Sequence, residues 1–224
     1  MGRSHSACLL AIAGLAVGCG GGDPTGRTTL QVQGSVISSR SRAGIAGAEI
    51  NIGGYLSNDF VTTTTGSDGS FAATVESFGC EGDIIFVTHS GYVQPAPFPD
   101  ICSPRTVELN PDPLASVISP QDPTTGLGGT VMFQVRVTFV DGTVEDPGEA
   151  VWFIDPSGTI AGSECGSVSD EGVVRAVIYT APSALPPPAC GSGSDQVTVV
   201  AAPVSAGSTQ ILDASDRVEV TVTP

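Results

Sequence analysis

The second of the two histidines in the sequence, His89, has nearby groups that a hydrolase would need. Ser90, Asp83 and Asp100 lie close to it along the chain. A Ser/His/Asp triad requires its three side chains within mutual hydrogen-bond reach and an oxyanion hole beside them. Adjacent strand residues point to opposite faces, so Ser90 would face away from the imidazole. The sequence therefore favours a surface histidine at a strand end and a protein that is not an enzyme, with a hydrolase that uses His89 as the alternative.

An acidic stretch offers the second chemical candidate. Asp141, Glu145, Asp146 and Glu149 fall within nine residues. Calcium binds six to eight oxygen ligands, and carboxylates are its usual partners. The stretch lacks a twelve-residue EF-hand loop, and acidic loops of β-sandwiches often serve only solvation. We expect no cofactor here and keep Asp141, Glu145 and Asp146 as candidate ligand contacts, with calcium as the alternative.

Exposed aromatic rings would be needed for sugar recognition. Most aromatic residues fall at strand positions typical of a core, namely Phe71, Phe133, Phe139, Trp152 and Phe153. Tyr92 remains as a surface candidate without an assigned role. Tyr55 and Phe98 are the candidate glycan contacts, and packing under loops is the alternative role for both.

The composition excludes several classes of protein. The 224 residues include 8 basic and 23 acidic side chains, for a net charge of −15. All eight basic residues are arginines, so chemistry that needs a lysine amine is excluded. A nucleic-acid partner is excluded as well, because phosphate binding requires clustered positive charge. With 29 glycines and 17 prolines, long helices are not expected, while 40% hydrophobic residues is too many for a disordered chain.

The N-terminus has the layout of an export signal. Arg3 and His5 precede an apolar run over residues 7–17, which at eleven residues is too short to span a bilayer. Residues 16–19 read AVGC and resemble the lipobox of bacterial lipoproteins. The resemblance implies a signal peptide over residues 1–18, acyl chains (palmitate among them) on Cys19, and a flexible tether over residues 19–27. Gly20 after that cysteine implies an outer-membrane location under the enterobacterial sorting rule.

Export implies an oxidising compartment, in which cysteines form disulfides. Cys8 leaves with the signal peptide and Cys19 carries lipid, so four cysteines remain and allow three pairings. Pairing within each half of the chain is the economical choice. Zinc binding is disfavoured because the sequence has no C-x₂-C pair and one histidine after the signal. We predict the disulfides Cys80–Cys102 and Cys165–Cys190.

The first half of the chain reads as short strands. Apolar residues alternate with polar ones around residues 30–36 and 48–52, as in a half-buried strand. Residues 66–69 contain Asp-Gly, which predicts a tight hairpin between strands at 60–65 and 70–75. Residues 32–36 (VQGSV), 44–50 (GIAGAEI), 65–71 (TGSDGSF) and 91–92 (GY) together resemble the carboxypeptidase regulatory-like domain. The resemblance implies a transthyretin-like β-sandwich over residues 28–110 and no peptidase activity.

The second half follows a short Pro-rich linker at residues 111–114. Apolar residues occupy every second position from Val131 to Phe139, and further strands are predicted at 150–154, 173–180, 196–201 and 217–223. Residues 117–120 (VISP), 129–130 (GT), Gly172, 151–152 (VW) and 179–182 (YTAP) resemble the bacterial Ig-like domains of group 2. The resemblance implies an Ig-like sandwich over residues 115–224, with Trp152 in its core.

Together these features predict an all-β protein of two tandem β-sandwiches on a lipid anchor. We expect a non-enzymatic envelope lipoprotein that acts as an adhesive or structural module for a protein or glycan partner. A carbohydrate-binding or enzyme-accessory module is the alternative function.

Overall fold

The computed structural model shows an all-β protein, as the sequence predicts. The described residues are 27–54, 60–77, 81–94, 97–102, 105–155, 163–170, 172–204 and 214–224. They form eighteen strands and two short 3-10 helices. Within these ranges, we find no helix with the length and apolarity needed to cross a membrane. The predicted signal peptide, Cys19 and the tether up to residue 26 lie outside the described residues.

Strands β1 to β8 form the first sandwich from two four-stranded sheets, ordered β4-β1-β8-β6 and β3-β2-β5-β7. Alternating apolar residues of the two sheets fill the space between them, including Val36, Ile50, Ile52 and Val107, each fully buried. The bounds are β1 (Thr28–Ser38), β2 (Glu49–Gly54), β3 (Phe60–Thr64), β4 (Ser70–Ser77), β5 (Glu81–Thr88), β6 (Tyr92–Val93), β7 (Phe98–Asp100) and β8 (Arg105–Pro111).

The hairpin predicted at residues 66–69 is wrong, although the turn itself is present. Gly69 has the positive φ of 81° that Asp-Gly suggested. The strands on either side nevertheless belong to different sheets, because the turn crosses from one layer of the sandwich to the other. The Gly69 carbonyl accepts a hydrogen bond from the Val36 N–H at 2.8 Å, so the turn is bonded to β1. A Cβ on Gly69 would lie 2.4 Å from the Val36 carbonyl oxygen, which leaves room only for glycine.

Strands β9 to β18 form the second sandwich. One sheet has the order β10-β18-β17-β13-β15, and the other has the order β12-β11-β16-β14 with β9 also paired to β11. The bounds are β9 (Pro113–Ser119), β10 (Thr124–Gly126), β11 (Thr130–Phe139), β12 (Val144–Glu145), β13 (Ala150–Ile154), β14 (Ser167–Val168), β15 (Val173–Val174), β16 (Ala176–Thr180), β17 (Gln196–Pro203) and β18 (Asp216–Thr223).

The core of the second sandwich is built around Trp152, as the resemblance implied. Its side chain is fully buried, stacks on Phe133 with ring centroids 6.4 Å apart, and donates a hydrogen bond to the Val174 carbonyl at 3.2 Å. Tyr179 is equally buried and donates its hydroxyl hydrogen bond to the Cys165 carbonyl at 3.0 Å. Both polar ends therefore have partners inside the core.

The single strand predicted over residues 173–180 is divided in the structure. β15 pairs with β13 and β16 pairs with β11, so the chain changes sheets at Arg175. The guanidinium of Arg175 donates hydrogen bonds to the Pro147 carbonyl at 3.0 Å and to Glu149 at 3.2 Å. This side chain thereby holds the crossing point against the loop before β13.

The predicted Cys165–Cys190 disulfide is confirmed and joins the two 3-10 helices, Ser163–Cys165 and Pro188–Cys190. Cys102 is also disulfide-bonded. Its predicted partner, Cys80, lies outside the described residues, and this pairing stays a prediction.

Replacing Trp152 with alanine will open a large cavity beside Phe133. We expect the free energy of unfolding of the second sandwich to fall by about 3–5 kcal/mol. Urea denaturation followed by circular dichroism measures this loss, because the variant has no tryptophan for fluorescence. Met132→Ala is the control on the same sandwich, since Met132 is 61% exposed and its loss should cost less than about 0.5 kcal/mol. Equal losses in the two variants would contradict the assignment of Trp152 to the core.

Candidate functional site

The two sandwiches are connected by Asp112 alone, since β8 ends at Pro111 and β9 begins at Pro113. The backbone N–H of Asp112 donates a hydrogen bond to the Gly91 carbonyl in the first sandwich at 2.8 Å. Its carbonyl accepts one from the Val140 N–H in the second sandwich at 3.0 Å. The connecting residue is therefore bonded to both sandwiches. The predicted linker, residues 111–114, corresponds to Asp112 and the adjoining ends of β8 and β9.

The carboxylate of Asp141 joins the turn after β11 to the loop after β1. One oxygen, Oδ2, accepts hydrogen bonds from the Ser38 hydroxyl at 2.6 Å and the Ser41 N–H at 3.3 Å. The other, Oδ1, accepts from the hydroxyl and N–H of Thr143 at 2.6 and 3.0 Å. Both oxygens are thus occupied, and each faces a different sandwich.

Arg40 makes the second contact between the same two segments. Its guanidinium lies over the ring of Phe139, with Cζ 3.7 Å from the ring centroid, and forms a salt bridge with Glu145. The side chains of this ion pair are only 23% and 26% exposed, so water screens the pair less than it would on an open surface. We call these contacts the interdomain clasp, which comprises Ser38, Arg40 and Ser41 of the first sandwich and Phe139, Asp141 and Glu145 of the second.

The clasp changes the acidity of the groups within it. Partial burial acts to raise the pKa of Asp141, but hydrogen bonds from Ser38, Thr143 and Ser41 outweigh it and lower the pKa from 3.8 to about 2. Burial, together with the negative charge of Asp141, raises the pKa of the Tyr92 hydroxyl. Asp141 therefore stays ionised at any pH well above 2.

The acidic residues predicted as ligand contacts are not brought together as a cation site. Asp141 and Glu145 bind groups of the first sandwich, Glu149 binds Arg175, and Asp146 lies exposed beside them. Across the described ranges, the structure has no group of three or more acidic, histidine or cysteine side chains that could hold a metal ion. The sequence singled out this segment as candidate ligand contacts, with calcium as the alternative, whereas in the structure Asp141 and Glu145 contact serine and arginine side chains of the first sandwich.

His89 lies at a turn and contacts a backbone carbonyl. Its Nδ1 is 2.8 Å from the carbonyl oxygen of Ser90, and its ring packs edge-on against Tyr92 with centroids 5.2 Å apart. His89 and Tyr92 pair in an isolated β-bridge. Ser90 lies in the turn between them and not on a strand face. The side chains of Asp83 and Asp100 lie outside the described part of the chain. None of these contacts places a nucleophile against the imidazole.

Two phenylalanines that the sequence analysis did not single out lie exposed on the surface. Tyr55 and the side chain of Phe98 lie outside the described residues. Their roles as glycan contacts stay predictions, and among the described residues Phe60 and Phe86 are exposed, at 44% and 38% accessibility. The exposure of Phe86 could have been predicted from the period of two in a strand. Phe86 lies between the buried residues Ile85 and Val87 of β5, so its side chain points outward.

No protein-family model and no curated protein matches this sequence. Among solved structures, BcpA, the major pilin subunit of Bacillus cereus, aligns with 14% identity and a TM-score of 0.42, over 88% of this chain and 69% of that one. A DUF3823 family protein from Parabacteroides merdae aligns with 12% identity and a TM-score of 0.31, over 86% and 98%. Domains 4 and 5 of the S-layer protein SbsC align with 12% identity and a TM-score of 0.32, over 80% and 100%. Similarities at this level concern the fold alone.

Replacing Ser38 with alanine will raise the pKa of Asp141 from about 2 toward 3.8, because one donor to the carboxylate is lost. In the unmodified protein the folded-state pKa is below the unfolded value, so the stabilising contribution is complete well above pH 3.8 and is lost as the pH falls toward 2. Carbon-detected NMR titration of the Asp141 carboxyl measures its pKa, and urea denaturation across the same pH range measures the loss of stability. Ser35→Ala is the control, since its hydroxyl faces Thr106 within the first sandwich. A titration midpoint at or above 3.8 in the unmodified protein would contradict the clasp.

Proposed function

We propose that this protein is a non-enzymatic lipoprotein of the bacterial envelope whose two sandwiches act as one rigid body and present a binding surface to a protein or glycan partner. The interdomain clasp is the observation that carries this proposal. Hydrogen bonds, a cation–π contact and an ion pair hold the two sandwiches against each other, next to the single residue that connects them. A rigid pair of domains holds a surface of one sandwich in a fixed position relative to the other, which a flexible linker between them would not do.

The acidity of the titratable groups supports a role without catalysis. Among the described residues, the clearly shifted groups are Asp68, Tyr92, Asp141 and Tyr179. Asp68 has a lowered pKa because its carboxylate accepts hydrogen bonds from Ser70 in an exposed turn. Burial raises the pKa of Tyr179 within the core. Each shift thus has a structural cause in a turn, a core or the clasp, and none accompanies a reactive cleft.

The N-terminal sequence supports attachment to a membrane. Two or more acyl chains on Cys19 would make attachment lasting, since each buried CH₂ contributes about 0.8 kcal/mol. The Gly-rich tether of about nine residues would have a reach of about 17 Å, which keeps the first sandwich near the bilayer. Loss of Arg3 with the signal peptide leaves 7 basic and 23 acidic residues, a net charge of −16 that anionic headgroups repel. The body would therefore not lie against an anionic membrane surface. Gly20 after Cys19 supports the outer membrane as the proposed location.

Replacing Cys19 with serine will abolish incorporation of an alkyne-labelled palmitate in a bacterial host and release the protein from the membrane fraction. Cys8→Ser is the matched control, because Cys8 lies inside the apolar run and should leave acylation unchanged. In-gel detection of the label and intact-protein mass spectrometry provide the two measurements. Label that persists in the Cys19→Ser variant, or that is absent from the unmodified protein, would overturn the anchoring proposal.

Loss of the Arg40 guanidinium together with the Ser38 hydroxyl will uncouple the two sandwiches. Residual dipolar couplings of the full chain carrying Cys19→Ser should fit a single alignment tensor, and Arg40→Gln combined with Ser38→Ala should require two. Arg42→Gln is the matched control, since Arg42 pairs with Glu108 inside the first sandwich. Two separate tensors for the parent chain would show that the sandwiches do not form one rigid body.

A further inference from the structure

The outer face of the sheet β3-β2-β5-β7 carries two exposed phenylalanines side by side. Ile50 and Ile52 of β2 are fully buried, so the alternate residues of β2 face solvent. Phe60 is the cross-strand partner of Gly53, and Phe86 is the partner of Asn51. Cross-strand partners share a face, so both rings stand on the solvent side of the sheet.

The rings meet above β2 because Gly53 has no side chain to separate them. Their centroids are 6.4 Å apart and their planes are inclined at 59°. Gly53 itself is buried, although it lies on the outer face. Neither phenylalanine belongs to the buried core of the first sandwich. The two rings therefore form an inclined aromatic surface that the core does not need.

A row of polar groups borders the rings on the same face. The Thr62 hydroxyl donates to Asn51 Oδ1 at 2.7 Å, and the Asn51 side-chain N–H donates to Glu49 Oε1 at 2.9 Å. The bond to Glu49 uses one of the two donors on the Asn51 amide nitrogen, and the Glu49 carboxylate can accept further hydrogen bonds. The row is pre-organised, since each side chain is held by its neighbour.

The chemistry of this face selects among ligand classes. Anionic ligands are disfavoured, because Glu49 is acidic and the whole chain carries a charge of −15. A stable protein interface buries about 1,000 Å² or more, which exceeds what two rings and a short polar row supply. A pyranose sugar presents an apolar C–H face and a rim of hydroxyls, and these match the aromatic pair and the Thr62-Asn51-Glu49 row.

We infer that Phe60, Phe86 and the row Thr62-Asn51-Glu49 form a binding site for a neutral oligosaccharide. This inference rests on the proposed function and specifies the glycan alternative within it. The aromatic rings pack against the apolar faces of the sugar, and the polar row binds its hydroxyls. The site is shallow and open, so its affinity is weak for one chain and increases when many anchored copies bind one polysaccharide.

The test uses the full chain, purified in detergent, with cellohexaose and N-acetylchitohexaose as the ligands. Chemical-shift changes of the Phe60, Phe86 and Asn51 amides report where a ligand binds, and titration gives the dissociation constant. Phe60→Ala and Phe86→Ala are each expected to weaken binding about tenfold or more. Asn51→Ala, which keeps both rings, should weaken it less but measurably. Met132→Ala, an exposed apolar side chain on the second sandwich, is the control and should bind unchanged.

The outcomes distinguish a failure of this inference from a failure of the proposed function. Binding that is lost with the rings and retained in Met132→Ala supports the site. No binding of either oligosaccharide overturns the inference, while acylation of Cys19 and a single alignment tensor would still support the anchored rigid body. Binding that Phe60→Ala and Phe86→Ala leave unchanged also overturns it. Self-association that depends on the two rings would assign the face to a protein contact and overturn the glycan assignment.

Discussion

The carboxylate of Asp141 is the group on which the arrangement of the two sandwiches depends, since it accepts hydrogen bonds from both of them. Ser38 and Ser41 lie in the first sandwich and Thr143 lies in the second. A partly buried carboxylate is stable only with such donors, so moving one sandwich away would leave it underbonded. Arg40 reinforces the arrangement from the same loop, because its guanidinium binds Phe139 and Glu145 next to Asp141.

Features that depend on local periodicity could be predicted from the sequence. The alternation in β11 identified a half-buried strand because burial repeats every second residue, and Phe133, Val135, Val137 and Phe139 are all buried in the structure. The Cys165–Cys190 disulfide followed from the division of the chain into two halves. Phe86 could have been assigned to the surface by the same parity, but its position in a run of apolar residues concealed it.

Features that depend on distant partners could not be predicted. Ser38 and Asp141 are separated by 103 residues, and nothing in either segment indicates the other. Asp141 therefore resembled a cation ligand, because a sequence shows the carboxylate but not the donors that face it. The predictions of one strand over residues 173–180 and of a hairpin at residues 66–69 were wrong for a related reason. A turn residue reports a reversal of the chain, whereas the sheet that each flanking strand joins is decided by tertiary packing.

The pairing of β1 with β8 determines how the first sandwich would respond to mechanical load. These strands are parallel, with Gly34 opposite Arg105 and Ser38 opposite Leu109. A chain held before β1 and pulled beyond β8 would load this ladder along its length, so that its hydrogen bonds resist shear together. Antiparallel neighbours pulled from one end would instead separate one bond at a time. The order of the strands thus makes the first sandwich resist a force that is applied between its two ends.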